Sequence, residues 1–236
     1  MTTQLAARGT LPYDDLNRLM SLMTGDEKHD SSATSTLDVL WVLYDRVLDV
    51  SPARLDDPAR DRFLLSKGHG PMAYYAVLAA KGFVPVEWLS TFGGYDSQLG
   101  YHPDRMLIPG VEISSGSLGH GLPLSVGMAL GLRARQIDSR VVCLVGDAEY
   151  DEGSNAEAVA FAGAAALDAL TVVVIDNRSA SLGWRGGIEQ RFAVEGWAVE
   201  RVDGRDHEQL ASALTRPRDG RPSVVVATIS PTEGAA

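Results

Sequence analysis

The stretch Val141–Asn177 reads VVCLVGDAEYDEGSNAEAVAFAGAAALDALTVVVIDN. Two apolar runs bracket it, Val141–Val145 and Leu170–Ile175. Each is short, uninterrupted by polar residues and rich in β-branched side chains, the pattern of a strand covered on both faces of a parallel sheet. The first run ends in Gly146-Asp147, and an acidic loop follows with Asp147, Glu149, Asp151 and Glu152. Gly153-Ser154-Asn155 then opens an alanine-rich helical segment, and the second run ends in Asp176-Asn177. Strand, loop, helix and strand make a crossover unit whose right-handed path sets the two strands side by side or nearly so. Asp147 and Asn177 then share the carboxyl edge of the sheet, where open α/β folds bind ligands. A carboxylate and an amide oxygen are hard ligands, suited to Mg²⁺ shared with phosphate oxygens. A helix N-terminus beside them would add N–H donors for an anion. Asp and Asn also end strands with no further role, so this stretch alone leaves a metal–diphosphate site and a plain strand terminus both open.

Outward from this unit the same punctuation repeats. Downstream, Trp197–Val202 and Pro222–Ile229 read as further strands, with helices over Ile188–Glu195 and His207–Leu214. Upstream, the run Arg62-Phe63-Leu64-Leu65-Ser66-Lys67-Gly68-His69-Gly70 gives a short strand ending in a histidine between glycines. Glycine lets the backbone approach a ligand closely, and His69 is free to face a cleft or simply to sit in a turn. Helices are predicted over Tyr13–Thr24, Ser35–Leu48, Pro71–Lys81 with Gly82 as its cap, Leu122–Arg135 and Asn155–Leu167, and a short one over Glu87–Phe92. Strands alternating with helices predict an α/β fold, a doubly wound, mostly parallel sheet with helices on both faces. Residues 1–12 read as a flexible N-terminal arm and 13–236 as one domain, with no repeat or linker to divide it.

The 236 residues, 45% hydrophobic and 22% charged, suffice for one domain with a full core. A net charge of −10 argues against nucleic acid or an anionic membrane as partner. The single cysteine, Cys143, lies inside an apolar strand, so no internal disulfide forms and a reducing, cytoplasmic setting is expected. No apolar run approaches the roughly 20 residues that span a bilayer, and the N-terminus lacks the apolar region of a signal peptide.

Three more runs carry candidate chemistry. His29 precedes a small-residue run, Ser31-Ser32-Ala33-Thr34-Ser35, and a helix. A polar loop contains Tyr101-His102-Pro103. Gly116-Ser117-Leu118-Gly119-His120-Gly121 leads into the helix from Leu122, where glycines let main-chain groups touch a flat cofactor. Taken in this order with the Gly68-His69-Gly70 run, they resemble the transketolase family. That family's thiamine diphosphate motif opens on Gly-Asp-Gly and closes on an Asn at about the separation of Asp147 and Asn177, thirty residues here.

The resemblance covers residues 13 to about 230 and implies the thiamine diphosphate-binding fold, its diphosphate-binding domain. It implies thiamine diphosphate as cofactor, with Mg²⁺ (or Ca²⁺ or Mn²⁺) held by the side chains of Asp147 and Asn177 and the main-chain carbonyl of Ser179. Gly116, Ser117, Leu118, Gly146, Asp147, Ala148, Glu149 and Asn177 are implied as cofactor-binding residues. His29, His69 and His102 are implied as catalytic, a role that suits imidazole near neutral pH. The implied activity moves a two-carbon ketol unit from a ketose-type donor to an aldehyde, with substrates of a specialised biosynthetic pathway expected. The family's pyrimidine-binding and C-terminal domains have no counterpart in this chain. A second subunit is therefore expected to carry them, in an α2β2 assembly that self-associates through Asn155–Leu167. Competing readings are another thiamine diphosphate enzyme (an acyloin- or 1-deoxyxylulose-forming synthase, or a 2-oxo acid decarboxylating component) and a non-catalytic binding subunit. His69 and His102 favour transketolase over the decarboxylating forms. Two departures stand out. Ala148 replaces the middle glycine of Gly-Asp-Gly, where a positive φ would cost on the order of 1 kcal/mol. Arg178-Ser179-Ala180-Ser181 departs from the family's pattern around the metal carbonyl.

Overall fold

The computed structural model describes residues 10–23, 34–68, 71–180, 184–217 and 219–230. Its five strands are β1 (Arg62–Leu65), β2 (Val141–Gly146), β3 (Leu170–Asp176), β4 (Ala198–Asp203) and β5 (Ser223–Thr228). They form one sheet in the order β1-β2-β3-β5-β4, and every pairing is parallel. The helices are α1 (Leu16–Ser21), α2 (Leu37–Val42), α3 (Pro71–Ala80), α4 (Gly121–Ala134), α5 (Gly153–Ala164), α6 (Gly187–Ala193) and α7 (His207–Leu214). This is the α/β architecture predicted from the apolar runs. The helix predicted over Tyr13–Thr24 is shorter than its pattern, a 3-10 turn at Tyr13–Asp15 leading into α1. The one predicted over Ser35–Leu48 divides into α2 and a π-helical turn, Leu43–Val47.

The period-two geometry of a strand explains why the runs lack polar alternation. Val142, Leu144, Val173 and Ile175 pack with α1, α2, α3 and α7 on one face. Val141, Cys143, Val145, Val172 and Val174 pack with α4, α5 and α6 on the other. Every residue of β2 is buried, and burial raises the pKa of the Cys143 thiol, as befits a core residue. A buried carboxylate ties the N-terminal segment to the first face. Asp38 on α2 accepts hydrogen bonds from the Tyr13 hydroxyl, from Arg205 at 2.7 Å and from His207 at 2.8 Å. Burial opposes its ionisation, but these bonds outweigh burial and hold its pKa below the ordinary range.

Where the helices lie determines where a ligand fits. The chain leaves β1 for α3 on the first face and leaves β2 for α5 on the second. Neighbouring strands whose connections part to opposite faces leave a crevice at their carboxyl tips, the binding place of open α/β sheets. On the far side of β2, α5 packs directly on the turn after α6. A Cβ on Gly163 would stand 1.9 Å from the Glu195 carbonyl oxygen. Gly163→Ala should therefore lower stability by about 2 kcal/mol, the order of cost of overpacking, read as a shift in the urea midpoint. An unchanged midpoint would show that the turn yields freely.

Candidate functional site

β2 ends at Gly146, so Asp147 is the first residue beyond the sheet. Its N–H donates to the Ile175 carbonyl at 3.0 Å and keeps it against β3. The side chain is buried, 1% exposed. Oδ1 accepts from the Ala148 N–H at 2.8 Å and from the Ser179 hydroxyl. Oδ2 accepts from the N–H groups of Ser179 and Ala180 at 2.7 and 3.3 Å. β3 runs one residue further, through Asp176, and delivers Asn177 beside this cluster. Asn177 Oδ1 is buried with no hydrogen-bond partner among the described residues, a state that costs about 1–3 kcal/mol. The adjacent strand tips thus bring Asp147, Asn177 and Ser179 into one place.

Two backbone facts bear on the departures noted in the sequence. Ala148 has φ −67° and ψ −35° and leads into a 3-10 turn, Glu149–Asp151, so the penalty expected for alanine there does not arise. Arg178 instead takes the left-handed conformation, φ +60°. A side chain with a Cβ is strained there by roughly 1–2 kcal/mol, and such strain gathers at ligand sites.

Glu149, expected among the cofactor-binding residues, turns onto protein donors. Its Oε1 accepts from the Ser66 hydroxyl and from the Gly119 N–H at 3.1 Å, and its Oε2 from the Gly146 N–H at 3.3 Å. Ser66 Oγ in turn accepts from the Gly121 N–H at 3.0 Å, at the start of α4. Ser154, in the first turn of α5, donates to the Gly119 carbonyl at 2.7 Å. One buried carboxylate therefore clamps the tips of β1 and β2 and the glycine loop together. Burial raises its pKa, and the bonds from Ser66, Gly119 and Gly146 pull it back.

The glycine loop meets the other candidates at Gly116, whose φ is +123°. A Cβ there would stand 2.9 Å from the His102 ring. A Cβ on Gly68 would stand 3.1 Å from the Gly116 carbonyl oxygen. The exposed His102 thus packs on the loop carrying exposed Ser117 and half-buried Leu118, next to the segment after β1. His29 and His69 lie outside the described residues.

Two further residues, Ser66 and Lys67, join the strand-tip cluster. Lys67 is 7% exposed, and its stem lies over Gly146. Burial lowers its ammonium pKa to about 8, against the opposing pull of Asp147 and Glu149. The signal was present in the run that carries His69, a Ser and a Lys directly after an apolar strand. Among the described residues, no group of three or more His, Cys, Asp or Glu is placed to hold a metal, and no helix is long and apolar enough to cross a membrane.

A parallel sheet that gathers a carboxylate, an amide oxygen and a braced glycine loop at its carboxyl edge has the form of an open α/β ligand-binding domain. Residues 20–235 match the family model described as transketolase, thiamine diphosphate binding domain. The chain belongs to the transketolase family of thiamine diphosphate-dependent transferases. It is 36% identical over 206 residues to one of the subunits of the apulose-4-phosphate transketolase from Actinobacillus succinogenes, covering 84% of this chain and 75% of that one. It is 59% identical over 219 residues to a Rhodococcoides fascians protein named ferredoxin fas2, covering 92% and 72%. Iron–sulfur clusters are held by several cysteine thiolates, so with Cys143 alone these 236 residues carry no counterpart of the ferredoxin in that name. The solved transketolase of Leishmania mexicana superposes with a TM-score of 0.75 at 25% identity, over 93% of this chain and 37% of that one. The chain thus spans little more than a third of that transketolase.

Proposed function

We propose that this chain is the diphosphate-binding subunit of a two-component transketolase, acting with a second subunit that carries the pyrimidine-binding and C-terminal domains. The observation that carries this is the pairing at the tips of β2 and β3. There Asp147 stands against Ser179, and Asn177 offers a buried oxygen with no partner among the described residues. The donor set is a carboxylate, an amide oxygen and a main-chain carbonyl. It is made of hard oxygens and fits Mg²⁺, which completes its shell with phosphate oxygens and water. Asp147, Asn177 and the Ser179 carbonyl would hold the metal. Gly116, Ser117 and Leu118 would line the cofactor, with Gly146 and Ala148 beside its diphosphate. Glu149 would act on the cofactor indirectly, by holding the glycine loop.

When bound, thiamine diphosphate supplies the chemistry that breaks and remakes a carbon–carbon bond next to a carbonyl. His102 faces solvent from the loop on Gly116, where its imidazole would exchange protons with substrate hydroxyls. His29 and His69 are proposed for the same task. The donor would be a ketose and the acceptor an aldehyde, the reaction that the family resemblance implies. Exposed Leu124 on α4 and Phe161 on α5 give the second face an apolar surface for self-association.

The test is to co-express the chain with its partner, sought in the neighbouring reading frame, and to measure magnesium-dependent thiamine diphosphate binding and ketol transfer with and without it. The pair should bind and turn over, and the lone chain should bind at least tenfold more weakly. Equal binding by the lone chain would sink the shared site. No binding by the pair would sink the cofactor assignment.

A further inference from the structure

We propose that Lys67 is a diphosphate-binding residue, reaching the anion in the crevice between the tips of β1 and β2, an assignment that rests on the function proposed above. Three neighbouring strand tips present Lys67, Asp147 and Asn177 in a row, after β1, β2 and β3. The Lys67 N–H donates to the Leu144 carbonyl at 3.0 Å, which holds its backbone against β2. Its Cγ, Cδ and Cε lie 3.5, 3.6 and 3.7 Å from the point where a Gly146 Cβ would stand. The stem therefore runs along the end of β2. This is the crevice formed where the connections from β1 and β2 part to opposite faces.

Charge balance says what such a lysine faces. A diphosphate carries more negative charge than one divalent cation cancels, and the buried carboxylates of Asp147 and Glu149 add to the excess. Glu149 is already bonded through both oxygens to Ser66, Gly119 and Gly146. Asp147 likewise accepts from Ala148, Ser179 and Ala180. A buried ammonium is stabilised by every counter-charge that comes close to it. A bound anion whose metal sits on Asp147 and Asn177 would add counter-charge on the β1 side of the same crevice. Lys67 would thus complete from β1 what the metal ligands begin on β2 and β3.

The experiment uses the assembled two-subunit enzyme and reads the equilibrium binding of thiamine diphosphate with Mg²⁺, together with the melting temperature of the cofactor-free complex. Lys67→Met should weaken binding about 30-fold, the loss of one charge-assisted hydrogen bond, while the cofactor-free complex melts no lower than its parent. Lys67→Arg should bind within about fivefold of the parent. A lysine needed only for packing would move melting and binding down together. If Lys67→Met fails to fold, Lys67→Gln and Lys67→Arg carry the test, with Gln weakened about 30-fold and Arg spared. Binding by Lys67→Met or Lys67→Gln within threefold of the parent overturns the role of Lys67 and leaves the proposed function standing. A parent complex that binds no thiamine diphosphate overturns both.

Discussion

Asp147→Ala should lower the affinity of the two-subunit complex for thiamine diphosphate by about 10³-fold at millimolar magnesium. That is the factor equivalent to about 4 kcal/mol, the order lost when one side of a buried charge interaction is removed. Asp147 is the charged member of the donor set proposed for the metal, and Asn177 Oδ1 has no hydrogen-bond partner among the described residues. Asp147→Asn should be almost as damaging. Both carboxylate oxygens accept from backbone N–H groups, Oδ1 from Ala148 and Oδ2 from Ser179 and Ala180. An amide nitrogen on either side would meet a donor with a donor. Isothermal titration with and without magnesium reads the effect, and circular dichroism checks the fold. Magnesium-dependent binding within threefold of the parent would remove Asp147 from the metal site.

The largest effect on stability should come from Glu149→Leu, at about 3–5 kcal/mol. The carboxylate is 2% exposed, and three donors converge on it. Leucine leaves the Ser66 hydroxyl and the N–H groups of Gly119 and Gly146 buried without an acceptor, each at a cost of about 1–3 kcal/mol. Glu149→Gln should be milder. Its oxygen can still accept from Ser66 and Gly119, while its nitrogen faces the Gly146 N–H and forfeits that bond. Urea denaturation of the isolated chain gives both values. A Leu variant within 1 kcal/mol of the parent, or a Gln variant as damaged as Leu, would show that this carboxylate does not brace the loop.

The candidate site was partly legible because its main pieces sit at punctuation. Asp147 and Asn177 end apolar runs, and Gly116 to Gly121 precede a helix, so pattern placed them at the ends of elements and the family resemblance supplied their expected roles. What pattern could not show was which way each side chain turns. Glu149 lies two residues from Asp147 in the same acidic loop. It is drawn inward because Ser66, 83 residues earlier in the chain, ends the neighbouring strand. A lysine after a strand ordinarily faces water, so the place of Lys67 beside His69 does not reveal its burial. Here β2 covers it, through a pairing that residue-by-residue reading does not contain. Whether Ala148 is strained in place of glycine depends on its φ, and the 3-10 turn that follows it gives it right-handed dihedrals.

By itself, the sequence determined the five strands, most of the helices and the parallel class of the sheet. Each of these follows from local runs of apolar side chains and the residues that interrupt them. The insertion of β5 between β3 and β4, the parting of the chain to opposite faces after β1 and β2, and the resulting crevice were decided only in three dimensions. Those features depend on which helix packs on which face. That choice is made by contacts between residues far apart in the chain, where the burial of a whole surface outweighs any local preference.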